Sequence, residues 1–278
     1  MIKYINTGTL AKDNNNSVYD IGIDANDRIY IPNFRHNNIV VLDKDFHELS
    51  RIEGIPSPHG LTIDNEGFMY VATFKNGRVY KFDSSGKEVK GWDKALLAQK
   101  RIHLPVSLDV DDDNNILIAD YGSHAVIKVN SRGDYIHSFD LNTITQKGKF
   151  SPHCVITDGK RNVYVADRGQ AKTIQVFRLN GEYIGAWQDI DKEFDPLAVR
   201  FLTQELLLVP NYKDSKLHLF NVSGQHLAVF GSHGEKPGEF LYAMNLISDT
   251  HRHIYVVEEE GNRIQKIDFG KIIAEYGK

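Results

Sequence analysis

Of the twelve histidines in this 278-residue chain, His59 and His153 share a local context: each closes a Ser-Pro-His tripeptide. Imidazole titrates near neutrality, so such a pair can move protons, hydrogen-bond a polar ligand or donate nitrogen to a metal. Cys154 follows His153 in an apolar run and reads as a small buried residue; as the only cysteine it excludes an intrachain disulfide. The remaining candidates, His36, His124, His218, His226, His251 and His253, share no common position and receive no role. No glycine-rich phosphate loop, CxxC pair or Gly-x-Ser-x-Gly elbow occurs.

What could position His59 and His153 is visible in the residues that follow them. Residues 57–89 contain three short apolar runs, 60–63, 68–73 and 78–82, separated by Asp64-Asn65-Glu66-Gly67, Lys75-Asn76-Gly77 and Asp83-Ser84-Ser85-Gly86. Short runs bounded by Asn, Asp, Ser and Gly read as strands joined by hairpins, and residues 88–92 supply a fourth run. The same pattern recurs. Aligned on the position of His59, the residues Tyr19, His59, Val106, His153, Leu197 and Met244 stand 40, 47, 47, 44 and 47 residues apart. First strands follow at 20–24, 60–64, 107–111, 154–158, 198–202 and 245–249. Six four-stranded units at this period predict an all-β, six-bladed β-propeller forming a single domain over residues 1–278.

In a meander, the lead-in to strand one and the turn between strands two and three share one end of the sheet. The mouth of the central channel should therefore be ringed by the six aligned residues and by the ends of the second strands. The latter are Asn33-Phe34-Arg35, Thr73-Phe74-Lys75, Asp120-Tyr121, Asp167-Arg168, Asn211-Tyr212 and Glu258-Glu259. Arginine at a pocket mouth suits a carboxylate or phosphate through paired hydrogen bonds, and a phenol can transfer a proton if its pKa is lowered. This makes Arg35, Lys75, Tyr212, Met244 and Asn245 candidate substrate contacts. It makes Tyr121 and Arg168 candidate catalytic groups beside His59 and His153. Asp120 and Asp167 are expected to cap turns, and Asp111-Asp112-Asp113, at the opposite end, to form a solvated turn.

The pattern Pro-x-Gly-Leu/Ile-x-Ile-Asp, Gly-x-x-Tyr-Val-Ala, Arg-Ile-x-x-Phe-Asp resembles the NHL repeat family over nearly the whole chain. The Pro-His pairs narrow the resemblance to the peptidylglycine amidating lyases. This implies three Pro-His histidines on alternate blades around an axial zinc, with an arginine and a tyrosine at the mouth. His59 and His153 match two of the three positions; Met244 stands at the third. Arg168 matches directly, Arg35 and Tyr121 only after one-residue shifts. A catalytic zinc takes three protein ligands and an open position, whereas thioether sulfur suits copper(I). A divalent metal such as zinc at His59 and His153 therefore needs a substitute ligand, for which Glu258 and Glu259 are nearest. The implied activity is lyase, hydrolase or isomerase chemistry on a small carboxylated or peptide-like molecule. The alternative is a non-catalytic ligand- or protein-binding scaffold.

The net charge of −4 gives no basic face for nucleic acid, and no segment approaches the roughly 18–20 apolar residues of a membrane span. A monomeric, cytoplasmic protein binding neither nucleic acid nor membrane is expected. At the termini, residues 2–6 and 271–276 both look like outer strands; ring closure by the N-terminal one is expected, with the other outside or alongside it. The connector 94–103 is expected to form a turn of helix at the mouth.

Overall fold

The computed structural model describes the backbone of residues 3–6 and all of 17–139, 150–187, 194–260 and 263–277. The polar connector 7–16 and most of the 141–150 loop lie outside these residues. Strand β1 (Lys3–Asn6) comes first in the chain. Blade 1 is β2 (Gly22–Ile23), β3 (Ile29–Asn33), β4 (Asn38–Leu42) and β5 (Glu48–Glu53); blade 2 is β6 (Pro58–Ile63), β7 (Met69–Thr73) and β8 (Arg78–Phe82). After helix α1 (Lys94–Ala98), blade 3 comprises β9 (Pro105–Val110), β10 (Ile116–Asp120), β11 (Ala125–Val129) and β12 (Tyr135–Phe139). Blade 4 comprises β13 (Pro152–Thr157), β14 (Asn162–Asp167), β15 (Thr173–Arg178) and β16 (Tyr183–Ala186). Blade 5 comprises β17 (Arg200–Phe201), β18 (Leu206–Asn211), β19 (Lys216–Asn221) and β20 (His226–Phe230). In blade 6, β21 (Ala243–Ser248), β22 (His253–Glu258) and β23 (Arg263–Asp268) are joined by β1, in the order β1-β23-β22-β21. The fold is thus an all-β, six-bladed propeller.

The turns explain why each blade is a meander. Asp24, Asp64, Asp111 and Asp249 each accept the backbone N–H groups two and four residues on, closing the turn after strand one. Asp111 is buried and paired with Lys128 at 2.9 Å, so the solvated turn expected here is confined to Asp112 and Asp113. The second strands are buried along their length except at Asn162 and His253, which begin those of blades 4 and 6, and their apolar side chains pack onto the adjacent blades. Each Val, Ile or Leu so buried contributes about 1.5–3 kcal/mol of apolar transfer free energy.

Two boundaries differ from the sequence reading. Residues 88–92 form no fourth strand: blade 2 ends in a single bridge between Phe82 and Glu88. Helix α1 forms within the connector as expected and buries Leu96 with Trp92 and Ile102 in the core between blades 2 and 3. The C-terminal run is helix α2 (Gly270–Tyr276), whose Ile272, Ile273 and Tyr276 pack on the cluster of blades 5 and 6. An outer strand there has no vacant edge to join, because β1 already pairs with β23 through Lys3↔Lys266 to Asn6↔Arg263. Among the described residues no helix is long and apolar enough to cross a membrane.

Candidate functional site

The lead-in residue of the first strand is also an irregularity of the ladder. In blade 2 the pairing shifts between Pro58 and Gly60, in blade 4 between Pro152 and Cys154, and in blade 6 between Ala243 and Asn245. The residues stepped over are His59, His153 and Met244. Each is the extra residue of a β-bulge, a device that bends the strand and re-aims one side chain. Blade 3 has the same shift, with Val106 as its extra residue.

The bulges also anchor the histidines. Val106 is extra in its own ladder, and its carbonyl accepts a hydrogen bond from His59 Nδ1 at 2.9 Å. The Leu197 carbonyl accepts one from His153 Nδ1 at 3.0 Å. A carbonyl can only accept, so both rings carry their proton on Nδ1 and leave a lone pair on Nε2. Neither Nε2 has a hydrogen-bond partner among the described residues. The ring centroids of the two histidines lie 6.4 Å apart, near perpendicular. Gly60 makes the blade 2 anchor possible, since a Cβ there would sit 2.3 Å from the Val106 oxygen.

His59 is packed among aromatic rings. Tyr19 stacks on it at 4.8 Å and Phe74 at 5.7 Å, while Phe34 meets it edge-on at 6.3 Å. Crowding by protein raises the cost of charging either ring. Burial pushes His59 down to about 4 against the opposing hydrogen bond to Val106. Burial pushes His153 down to about 3, assisted by the positive potential of His59 and Arg168. Both are therefore neutral acceptors at pH 7.

The other candidates divide between the mouth and the interior. Arg168 makes a two-pronged ion pair with Asp195 at 2.9 and 3.2 Å, which Lys172 shares, and lies over the Tyr212 ring. Tyr212 packs against Tyr242 at 4.8 Å, and burial together with Glu259 raises its phenol, so it is no acid near neutrality. Lys75 stands over Phe34 at 5.5 Å, and Arg35 bonds Ser17. Tyr121 is 42% exposed and meets His124; no ring contact joins it to His59 or His153. Met244 is buried. Asn245 lies in the interior, its amide 2.7 Å from Asp20.

Glu258 does not serve as a substitute ligand. It accepts from Leu241 N, Arg263 and Gln265, all at 2.7–2.8 Å, and is fully enclosed. Its position explains this: it ends a second strand, as Asp120 and Asp167 do. Those two bind the backbone N–H groups of His103 and Leu104 and of Ser151, capping the lead-in loops as expected. Among the described residues no group of three or more His, Cys, Asp or Glu is arranged to hold a metal. Two imidazoles and a buried thioether do not make the three-ligand set of a catalytic zinc.

The sequence reading missed the polar network behind the histidines. Arg200, on the first strand of blade 5, reaches Asp20 of blade 1 at 3.1 Å and the Cys154 sulfur of blade 4 at 2.8 Å. Asp20 also holds Leu61 N of blade 2 and Asn245 of blade 6; Asp109 of blade 3 holds Thr157 N. The signal was available: Arg200 and Asp20 are charged residues inside otherwise apolar first strands. Cys154 is thus a partner of Arg200 as well as a packing residue.

No protein-family model and no curated protein sequence matches this chain. Virginiamycin B lyase from Staphylococcus aureus superimposes with a TM-score of 0.65 at 13% identity, over 96% of this chain and 98% of that one. A streptogramin B lyase does so at 0.63 and 11%, covering 96% of each chain. Hydrazine synthase of Kuenenia stuttgartiensis gives 0.69 and 12%, over 94% of this chain and 79% of that one. Similarity at this level establishes a shared propeller architecture, which hosts unrelated chemistries.

Proposed function

We propose that the channel mouth binds a small carboxylated or peptide-like molecule, with His59 and His153 accepting its hydrogen bonds and, in a lyase-, hydrolase- or isomerase-type reaction, its proton. The observation that carries this reading is the pair itself. Two imidazoles from alternate blades, anchored through Nδ1 and lacking Nε2 partners among the described residues, stand 6.4 Å apart. A structural histidine commonly uses both nitrogens; these keep one in reserve.

A carboxylated ligand would change their chemistry. At about 4 Å and an effective dielectric near 20, a carboxylate favours an imidazolium by about 4 kcal/mol, or about three pKa units. Bases held down at about 4 and 3 would return towards neutrality only when the ligand is present. Arg168, at the rim between Asp195 and Tyr212, is the candidate carboxylate contact. The aromatic wall of Tyr19, Phe34 and Phe74 offers apolar surface to the rest of the molecule. Because the donor set does not fit a three-ligand zinc, no step is routed through a metal. The lyase neighbours support the reaction class by analogy of fold alone.

A second reading, a non-catalytic binding scaffold, is favoured by three observations. Arg168 is already engaged by Asp195, the Tyr212 phenol is raised by burial, and Tyr121 meets His124 rather than either mouth histidine. Thermal-shift screening of N-acyl amino acids and short peptides, followed by product analysis, separates the readings. A ligand that stabilises the wild type but not a His59→Ala, His153→Ala variant supports the site, and its turnover supports the enzyme. Equal stabilisation of both proteins rejects the site.

A further inference from the structure

At the mouth end of blade 4, two cations share one carboxylate. Arg168 follows β14, Lys172 closes the turn before β15, and Asp195 belongs to the lead-in of blade 5. Asp195 Oδ1 accepts from Arg168 Nε at 2.9 Å; its Oδ2 accepts from Arg168 Nη2 and from Lys172 Nζ, both at 3.2 Å. The Asp195 side chain is 9% exposed, whereas Arg168 is 27% and Lys172 47% exposed. Burial opposes ionisation of Asp195, but the hydrogen bonds and charges of Arg168 and Lys172 outweigh it and hold the carboxyl below its ordinary range. The three groups therefore carry one net positive charge, and its exposed side belongs to the two cations.

Both cations are held in place. Arg168 is fixed at its edge by Asp195 and on its face by Tyr212, which stacks in turn on Tyr242 at 4.8 Å. Lys172 takes the left-handed backbone region, at φ 42°, which is uncommon for a residue with a side chain. From that turn its ammonium reaches the carboxylate of the next blade. Of the five guanidinium N–H groups two face Asp195, and of the three ammonium protons one does, so donors remain on both. Arg168 Nη2 and Lys172 Nζ lie equally far from one oxygen, so they are separated by at most twice 3.2 Å. Two hydrogen bonds of about 2.8 Å and the width of a carboxylate span that gap. The charge of Arg168 is also felt at the His153 ring.

We infer that Arg168 and Lys172 form a two-cation clamp for the carboxylate of the mouth ligand, with Lys172 as the residue that discriminates an acid from its amide. The inference rests on the reading of the mouth as a site for a carboxylated molecule and names the groups that hold the charge. Asp195 gathers the two cations and neutralises one, so the clamp takes a single carboxylate. A neutral amide brings no charge to these donors and forms the weaker bonds. A carboxylate in the clamp offsets the positive potential at His153 and so favours the imidazolium.

Calorimetric titration with N-acetylphenylalanine and N-acetylphenylalaninamide tests the clamp, the phenyl ring being matched to the wall of Tyr19, Phe34 and Phe74. The acid should bind about tenfold more tightly than the amide, and raised salt should narrow the gap. Lys172→Met, at an exposed position that leaves folding intact, should weaken the acid about three- to tenfold and leave the amide unchanged. Lys172→Arg should keep the preference. Bound acid, but not bound amide, should raise the His153 pKa in a 15N titration. No binding of the acid at millimolar concentration, or an acid preference untouched by Lys172→Met, would overturn the clamp. Equal binding of acid and amide, lost in the His59→Ala, His153→Ala variant, would overturn the clamp and leave the mouth reading standing. An acid preference that survives that variant but falls with Lys172→Met would support the clamp and reject the histidines.

Discussion

At the scale of the residue, the account turns on where two protons sit. The Val106 and Leu197 carbonyls fix the Nδ1–H tautomers of His59 and His153, and burial keeps both rings neutral. The folded-state pKa values lie below the unfolded value of about 6.5, so acid favours the unfolded chain. The neutral rings' contribution is whole above about pH 6.5 and is lost as pH falls towards about 4 for His59 and 3 for His153. Replacing both with glutamine should flatten the acid limb of the stability curve. Between pH 7 and 4.5 the wild type should lose up to about 2 kcal/mol more per histidine than the variant. Urea titrations across that range measure it. The approach of these two rings to one another was legible from their shared repeat position. Their tautomers were not, because the accepting carbonyls belong to other blades, 47 and 44 residues away.

At the scale of the element, the bulge and the closing strand matter most. The bulges of blades 2 and 4 turn His59 and His153 out of their ladders, and each ring is anchored on the lead-in carbonyl of the next blade. Gly60→Ala would drive a methyl group onto the Val106 oxygen. It should destabilise the fold by about 1–3 kcal/mol and move the His59 pKa, readable by denaturation and by imidazole NMR. Removing residues 1–6 would strip β1 from β23 and expose that edge. The expected outcome is earlier, less cooperative melting with concentration-dependent association. The blades were legible from turn residues and alternating apolar runs. The outer elements were not: residues 88–92 and 271–276 carry strand-like composition, but Trp92 is drawn into the core between blades 2 and 3 and the edge of β23 is already taken by β1. Propensity is a weak guide where pairing decides.

At the scale of the whole molecule, the first strands are tied across the axis by Arg200, Asp20, Cys154 and Asn245. Arg200→Met would leave Asp20 buried without its cation and should cost about 3–5 kcal/mol, seen as a fall in Tm. Above this network the mouth gathers Arg35, Lys75 and Arg168, whereas the opposite end carries Asp24, Asp64, Asp112 and Asp113. A carboxylated ligand should bind more weakly at raised salt and after Arg168→Ala, an effect that titrations at two ionic strengths would register. The central claim is that the channel mouth holds a built pair of neutral imidazoles with Nε2 ready to accept. The most direct measurement is 15N NMR of the His59 and His153 rings, assigned by single substitution, through a pH titration. The account predicts Nδ1–H tautomers that resist protonation down to about pH 4 and 3. Rings that titrate near pH 6.5, or that carry the proton on Nε2, would contradict it.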